Sequence, residues 1–243
     1  MIQSPMTQWL NSSTNRGAHR IGILGGTFNP IHLGHLHIAE RAQKLFDLSR
    51  VLFVVSTTPP HKKSQHQAHF VHRYAMVSLA TAESQLFEPS MVELSPPASP
   101  FSVDTLTKLS RAEGRTRELY FIAGTDSMLE IAAWRRSEKL LACCNFIFVS
   151  RPGVDLTGPE TGLPPAARLL VRDLRGIGPR RLRLRIQSEA AAGEKRMYVV
   201  DLKAPDISAA RIRNLAASGR RVQSLVPRLV YQYMQKFHLY GDR

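Results

Sequence analysis

The chain has 243 residues, enough for one α/β domain with a sizeable buried core. Its hydrophobic content of 43% is ordinary for a globular protein, and its formal net charge of +14 favours partners that carry negative charge. No apolar run is long enough to span a bilayer, and the first residues lack the apolar segment of a signal peptide, which excludes membrane-spanning and exported classes. We therefore expect a cytoplasmic protein with no membrane partner.

Residues 1–19 are polar and end in basic residues, which indicates a flexible leader ahead of a single domain of residues 20–243. The two cysteines, Cys143 and Cys144, are adjacent in an apolar run. Because neighbouring residues of a strand face opposite sides, a disulfide between them is not expected.

The most informative stretch is residues 21–35, which reads IGILGGTFNPIHLGH. An apolar strand over residues 20–24 meets Gly25 and Gly26, and a helical pattern begins at Gly34 and runs to residue 46. A glycine turn that leads into a helix N-terminus makes an anion site, because main-chain amides then face the ligand without side chains to screen them.

Four polar side chains in this stretch suit phosphate chemistry. Thr27 and Asn29 can donate hydrogen bonds to phosphate oxygens. His32 and His35 are three positions apart and fall on one side of the first helical turn, where two imidazoles suit charge that develops on a phosphoryl group. A structural explanation stays open, since a glycine pair after a strand is usually only a turn and a histidine at a helix start is more often a cap.

The combination of GGTFNP with HxGH is much rarer than either part and favours a functional site. It resembles the HxGH nucleotidyltransferases, and the fuller GGTFNPIHLGHL resembles the bacterial nicotinate-nucleotide adenylyltransferase family. The resemblance implies transfer of an adenylyl group from ATP to nicotinate mononucleotide in NAD biosynthesis, with nicotinate adenine dinucleotide and pyrophosphate as products. It also places ATP on this turn, so the implied ATP-binding residues are Gly25, Gly26, Thr27, Phe28 and Gly34, with Asn29 assigned to the substrate.

Strands and helices alternate along the rest of the chain. A β-branched run over residues 51–55 predicts a strand buried on both faces, which completes a βαβ unit with the first strand and helix. Further helices are predicted over residues 68–83, from 102 and from 227, and further strands over 91–94, 119–123, 146–149 and 197–202. The pattern predicts a Rossmann-like, doubly wound and mostly parallel sheet with helices on both faces.

Loops that follow the strands of a parallel sheet line its ligand crevice. Lys62, in the sequence PPHK, follows the second strand and is expected beside the phosphates. Asp126, with Gly124, follows the strand over residues 119–123, where a carboxylate can accept hydrogen bonds from ribose hydroxyls. Both sequences match the family, and so does the loop at Arg151, which the resemblance places beside adenine.

The remaining substrate contacts rest on the resemblance. It implies that Trp134 stacks on the pyridine ring, for which a flat apolar face is sufficient. Arg135 stands where relatives often have tyrosine, and its guanidinium can pair with the nicotinate carboxylate. Thr105 is assigned to the substrate, although residues 100–102 read Pro-Phe-Ser where the family has Ser-Tyr-Thr.

Residues 154–193 are rich in proline, glycine and arginine, and they are predicted to be a variable insertion with one or two strands. Residues 180–185 read RRLRLR, an alternation that fits a strand with one solvated face. A solvated basic face is the ordinary explanation for such a run, so nucleic acid is not expected as a partner despite the charge.

A second motif over residues 206–213 begins a helix, with Asp206 or Ser208 as its cap. It resembles the family's triphosphate signature Ile-Ser-Ser-Thr-x-Ile-Arg. The resemblance implies ATP contacts from Ile207 and Ser208, and a phosphate contact from the planar guanidinium of Arg213.

The second motif departs from the family at Ala209 and Ala210, which stand where relatives have serine and threonine. Two hydroxyl donors are therefore missing. Because a hydrogen bond to a charged group contributes about 1.5–3 kcal/mol, weaker ATP binding or slower turnover is expected.

Together the motifs predict direct transfer, with His32, His35 and Arg213 as the catalytic residues. No nucleophile stands in either motif, so the 5′-phosphate of the substrate is expected to attack the α-phosphate of ATP and expel pyrophosphate. Mg²⁺ is expected on the departing pyrophosphate, and no residue is assigned as a metal ligand.

Two other functions stay open at this point. One is transfer to a different phosphate-bearing acceptor, such as nicotinamide mononucleotide or phosphopantetheine. The other is a catalytically weakened basic protein that binds nucleic acid. The sequence does not fix the oligomeric state, and a homo-oligomer is compatible with it.

Overall fold

The structure is a computed structural model that describes residues 19–57, 67–114, 117–150, 163, 165–191 and 195–241. The predictions for the leader up to residue 18, for Lys62 and for Arg151 lie outside the described residues.

Parallel strands form the centre of the fold. The described residues contain β1 (His19–Gly26), β2 (Arg50–Val55), β3 (Phe87–Ser90), β4 (Arg117–Gly124), β5 (Asn145–Val149), β6 (Val171–Asp173) and β7 (Met197–Val200). They make one sheet of seven strands in the order β3-β2-β1-β4-β5-β7-β6, and each pairing is parallel. The strand order reverses beside β1, which places the ligand crevice at the carboxyl ends of β1 and β4.

Helices cover both faces of this sheet. In the described ranges they are α1 (Leu33–Phe46), α2 (Phe70–Thr81), α3 (Ser102–Glu113), α4 (Thr125–Glu130), α5 (Ser137–Cys143), α6 (Pro165–Arg168), α7 (Pro179–Ala191), α8 (Ala209–Ala217) and α9 (Arg228–Lys236). No helix in this part of the chain is long and apolar enough to cross a membrane.

Two separate hydrophobic cores show why the strands are apolar throughout. Val51 and Phe53 of β2 belong to the core under α1, α2, α7, α8 and α9, whereas Leu52 and Val54 belong to the core under α3, α4 and α5. Successive side chains of a strand face opposite sides, so a sheet covered on both faces needs an unbroken apolar run. The predicted doubly wound, Rossmann-like fold is confirmed.

The prediction of a strand over residues 180–185 is wrong, because this run lies in α7. The helix buries Leu182 and Ile186, which are four positions apart, and leaves Leu184 61% exposed. A spacing of four places two side chains on one face of a helix. The alternation of arginine and leucine over residues 180–185 is too short to show this helical spacing.

A second prediction, of a strand over residues 91–94, is also wrong. The strand is β3, which ends at Ser90, and Val92–Leu94 is a 3-10 helix.

The two cysteines lie at the end of a helix. Cys143 ends α5 and Cys144 follows it as the C-cap, and both thiols are free.

Candidate active site

The loop between β1 and α1 begins two residues later than predicted, because β1 ends at Gly26. Gly25 and Gly26 pair with Val54 and Val55 of β2 and so belong to the strand, not to a turn. The turn follows them, at Asn29 and Pro30. Gly26 is needed for close approach, because a Cβ at this position would lie 3.1 Å from the ring of Phe28.

Phe28 supports the site from within the core. Its backbone has a φ of +47°, in the left-handed region, and its buried ring contacts His35 edge to face with centroids 5.1 Å apart. Because the ring is buried, an ATP contact at this position falls to the main chain.

His32 and His35 form the N-terminal cap of α1. His32 is the N-cap residue, and the side chain of His35 accepts a hydrogen bond from the His32 main-chain N–H. The two rings stack with centroids 3.7 Å apart. The structural explanation, a helix cap, is therefore observed for this pair, and the cap holds both imidazoles at the start of the helix.

The cap also determines the tautomer of His35. The main-chain N–H of His32 donates to Nδ1 of His35 at 3.2 Å. Because Nδ1 is the acceptor, the neutral ring carries its proton on Nε2. His35 can therefore present an N–H donor to an oxyanion.

The start of α8 lies against the start of α1. A Cβ on Gly34 would lie 3.7 Å from Cβ of Ile207, an ordinary contact distance, and 3.0 Å from the ring of His32, where the ring would have to shift. Ser208, and not Asp206, is the N-cap of α8, and its Oγ accepts from the main-chain N–H of Arg211.

Arg213 joins the two motifs directly. Its Nη1 donates to the main-chain oxygen of Asn29 at 2.8 Å. The guanidinium has five N–H groups, so this bond leaves donors for phosphate oxygens. Amides at the start of α1 already have partners: the N–H of Leu33 donates to the oxygen of Leu225 at 3.0 Å, and that of His35 donates to the oxygen of His32 at 3.0 Å.

Arg73 joins the loop between β1 and α1 to its neighbours and was not assigned to the site from the sequence. Its guanidinium is 1% exposed and donates to the main-chain oxygens of Thr27 and Ser56 at 2.7 Å each, and to that of Ala68 at 3.0 Å. These oxygens follow β1, follow β2 and precede α2. A buried arginine in an otherwise apolar helical pattern is the one sequence signal for such a role.

Glu93 binds the loop after β2, which Arg73 also contacts. Its Oε2 accepts from the main-chain N–H of Thr57 at 2.8 Å and from the Thr57 hydroxyl at 3.2 Å. Burial raises the pKa of the Glu93 carboxyl, against the lowering effects of these hydrogen bonds and of the Arg73 charge. Nothing in the sequence singled out this carboxylate.

Asn29 is held at both its main chain and its side chain. Besides the bond from Arg213, its Oδ1 accepts from the Tyr240 hydroxyl at 2.7 Å and from the main-chain N–H of Ala68 at 3.0 Å. Tyr240 lies almost at the end of the chain, where no sequence motif pointed to the site.

The carboxyl end of β4, beside β1, carries a second group of predicted residues. Gly124 is the N-cap of α4 and Asp126 is exposed in the first turn of that helix. Thr105 is buried in the first turn of α3, and its Oγ1 has no hydrogen-bond partner among the described residues. The hydroxyl of Thr125 is also buried and has no hydrogen-bond partner among the described residues. Buried hydroxyls without a partner are groups that a bound ligand can satisfy.

Trp134 is half-buried at this second group. Its indole packs edge to face on Phe121, with centroids 6.3 Å apart. The guanidinium of Arg135 lies 4.5 Å from the ring centroid of Phe101, a cation–π contact. A cavity of about 420 Å³ is lined by Trp134, Arg136, Ser137, Glu138 and Lys139.

The structure thus brings the two sequence motifs together. Asn29, Gly34, Ile207 and Arg213 make direct or near contacts. The predicted group at Thr105, Trp134 and Arg135 belongs to the elements that follow β3 and β4.

The described residues do not build a metal cage. In the described ranges, no three side chains of His, Cys, Asp or Glu are grouped so that they could hold a metal ion. A divalent cation at this site would need oxygen ligands from the substrate phosphates.

Comparison with known proteins assigns the family. The cytidylyltransferase-like family model matches residues 23–215. A protein of Pelobacter propionicus named "Probable nicotinate-nucleotide adenylyltransferase" is 40% identical over 223 residues, which is 92% of this chain and 99% of the relative. The chain belongs to the nicotinate-nucleotide adenylyltransferase family. It is therefore a nucleotidyltransferase.

Other members of the nicotinate-nucleotide adenylyltransferase family agree in length. A relative from Thermoanaerobacter is 35% identical over 221 residues, which is 91% of this chain and 94% of that protein. A solved structure described as Plasmodium falciparum nicotinic acid mononucleotide adenylyltransferase complexed with NaAD matches with a TM-score of 0.65 at 18% identity, over 91% of this chain and 97% of that one. At that identity the structural match supports the fold.

Proposed function

We propose that this chain transfers the adenylyl group of ATP to nicotinate mononucleotide and forms nicotinate adenine dinucleotide and pyrophosphate. One observation carries the proposal: Arg213 of the second motif donates to the main chain of Asn29 in the first. This contact makes one site from two helix N-termini, each of which favours negative charge. A triphosphate and an acceptor phosphate supply the negative charge that such a site requires.

In this proposal the two ends of the site divide the phosphates between them. The Nε2–H of His35 donates to an oxygen of the α-phosphate, where negative charge grows during transfer, and the stacked His32 keeps that ring in place. Arg213 binds the β- and γ-phosphates with the donors that Asn29 does not use. The start of α8, at Ile207 and Ser208, contributes main-chain amides.

Transfer is a single in-line displacement. An oxygen of the 5′-phosphate of nicotinate mononucleotide forms a bond to the α-phosphorus of ATP. The bond from that phosphorus to the bridging oxygen breaks, and its electron pair leaves with pyrophosphate. Positioning of the reactants and stabilisation of charge supply the acceleration, so no covalent enzyme intermediate is required. Inversion at the α-phosphorus of a chiral phosphorothioate substrate is the expected stereochemistry, and retention would require two displacements.

The pyridine ring is assigned to the second group of residues. Trp134 supplies a flat face for stacking, and the carboxylate of the ring pairs with Arg135 after its guanidinium leaves Phe101. The buried hydroxyl of Thr105 provides a hydrogen bond to the mononucleotide. Gly124 and Asp126 contact the ribose of ATP.

Mg²⁺ is proposed to enter with the phosphates of ATP, because the described residues do not provide a cage for it. Bound there, it neutralises charge on the pyrophosphate. Contacts from Lys62 and Arg151 remain part of the proposal, and the cytoplasm remains the proposed compartment, in line with the free thiols of Cys143 and Cys144. The absence of a nucleic-acid partner and the homo-oligomer remain predictions.

A pyrophosphate-release assay with different acceptors tests the proposal. We expect nicotinate mononucleotide with ATP and Mg²⁺ to give pyrophosphate and nicotinate adenine dinucleotide in equal amounts. Nicotinamide mononucleotide and phosphopantetheine serve as the competing acceptors. Release with either of these, but none with nicotinate mononucleotide, would overturn the assignment of the substrate.

A further inference from the structure

The last described residues of the chain return to the active site. After α9, His238 and Tyr240 adopt φ values of +48° and +67°, in the left-handed region that non-glycine residues rarely adopt. Leu239, between them, donates its N–H to the oxygen of Met234 at 2.9 Å and packs against the core. Unfavourable backbone conformations of this kind persist where surrounding contacts hold them in place.

The contact that this conformation makes is with Asn29. The Tyr240 hydroxyl lies 2.7 Å from Oδ1 of Asn29, and the main-chain N–H of Ala68 lies 3.0 Å from the same atom. A main-chain N–H can only donate, so the shared atom must be the carboxamide oxygen and the hydroxyl must be the second donor. The orientation of the carboxamide is therefore determined, with Nδ2 as its donor end.

Asn29 is also the residue on which the two motifs meet. Its main-chain oxygen accepts from Arg213 at 2.8 Å, so the end of the chain and α8 hold the same residue by different atoms. Tyr240 is close enough to Arg213 and Arg73 to feel both positive charges, which lower the pKa of its phenol while burial, the larger effect, raises it. The phenol thus keeps its proton and remains a donor.

We propose that Tyr240 is a positioning residue for adenylyl transfer, whose hydroxyl holds the Asn29 carboxamide so that its amide nitrogen meets a substrate phosphate. The inference rests on the proposed function and on the assignment of Asn29 to the substrate that the family resemblance implies. Tyr240 acts through Asn29 and touches no reacting atom.

The test uses Tyr240→Phe, which removes the hydroxyl and keeps the ring. We expect kcat/KM for nicotinate mononucleotide to fall about tenfold, the fold-change that corresponds to one hydrogen bond. The matched control is Tyr233→Phe, because the Tyr233 hydroxyl contacts Nδ1 of His72 at 3.0 Å and is bonded to nothing in the site. This control loses a similar bond in α9 and should keep the wild-type kcat/KM.

A double-mutant cycle separates positioning from a general loss of stability. Asn29→Ala removes the carboxamide, so Tyr240→Phe should have no further effect on kcat/KM in that background. If the fold-losses in kcat/KM of the two single variants multiply in the double variant, Tyr240 does not act through Asn29. This result would overturn the inference. Equal losses of activity in Tyr240→Phe and Tyr233→Phe would also overturn it.

Nucleotide binding distinguishes failure of this inference from failure of the proposed function. If the wild-type chain forms no product with nicotinate mononucleotide, the proposed function fails, and titration with nicotinate mononucleotide in the presence of α,β-methylene ATP then decides the role of Tyr240. A dissociation constant raised severalfold in Tyr240→Phe, and unchanged in Tyr233→Phe, supports the inference. Equal dissociation constants in all three proteins, or no binding by the wild type, overturn it.

Discussion

The guanidinium of Arg213 donates a hydrogen bond of 2.8 Å to the main-chain oxygen of Asn29, which lies 184 positions earlier in the chain. This bond joins the start of α8 to the loop before α1. Because Asn29 accepts only part of the donor capacity of Arg213, the same side chain can hold the loop and bind phosphate together.

Replacement of Arg213 by lysine tests this double role. Lysine keeps the positive charge but lacks the planar fork, so it cannot hold the Asn29 oxygen and a phosphate in the same geometry. We expect kcat/KM for ATP to fall about 10- to 100-fold, in line with about 1.5–3 kcal/mol for hydrogen bonds to charged groups. The matched control is Arg211→Lys, an exposed residue of the same helix. Equal activity in both variants would remove Arg213 from the phosphate site.

His35→Ala tests the proposed donor to the α-phosphate. Loss of one preorganised donor at the reacting group typically lowers kcat about 100- to 1,000-fold. The substitution also removes half of the cap of α1, so stability should fall by about 1 kcal/mol, a loss that leaves the chain folded. Steady-state kinetics and thermal unfolding measure the two effects.

The control for His35 is two positions away on the same helix. His37 has its Nε2 3.1 Å from the oxygen of Leu202, outside the phosphate loop. His37→Ala should lower stability modestly and leave kcat close to the wild-type value. An His35→Ala variant with wild-type kcat would exclude this histidine from the mechanism.

Restoration of the two missing hydroxyls should strengthen ATP binding. Ala209 is half-buried and Ala210 is exposed at the start of α8, next to the Ser208 cap. Ala209→Ser combined with Ala210→Thr should lower KM for ATP about tenfold, because even one new hydrogen bond to a phosphate contributes about 1.5 kcal/mol. Ala217→Ser, at the exposed opposite end of α8, is the control and should leave KM unchanged. An unchanged KM in the double variant would mean that the main-chain amides and Arg213 already suffice.

Glu93 predicts a pH dependence of stability. Burial raises the pKa of its carboxyl above the ordinary value of 4.5, so over the pH range from 4.5 up to the raised pKa the folded state binds more protons than the unfolded state. Stability contributed by Glu93 therefore decreases as pH rises through this range. Glu93→Gln keeps an oxygen that can accept from Thr57 and removes the titration.

Urea unfolding at several pH values between 4 and 8 measures this effect. The free energy of unfolding of Glu93→Gln, relative to wild type, should rise with pH through the range and then level off. Glu83→Gln, which changes an exposed carboxyl, is the control and should follow the wild-type profile. A difference between Glu93→Gln and wild type that is constant with pH would contradict the prediction.

Most of the fold could be predicted from the sequence, because its strands are short apolar runs and βαβ units set their order. The capped helix start at Ser208 was also predictable, since a serine cap depends on local residue types. The helix α7 was not predictable from six residues, because the alternation of arginine with leucine matches a strand until Ile186 is included.

The contacts that position the loops after β1 and β2 could not be predicted in the same way. Arg73, Glu93 and Tyr240 act through main-chain atoms or through a carboxamide that lies far from them in sequence. Such contacts follow from how the chain packs, and no spacing of residue types encodes them. At Gly25 and Gly26 the local residue type was misleading. Two glycines suggested a turn, but pairing with β2 keeps both residues in the strand.

The central claim is that the starts of α1 and α8 bind one triphosphate between them. A crystal structure with α,β-methylene ATP tests it most directly. We expect the triphosphate to lie over the starts of α1 and α8, with Nε2 of His35 and the guanidinium of Arg213 in hydrogen-bond contact with its oxygens. A nucleotide bound with its phosphates away from either of these two side chains would contradict it.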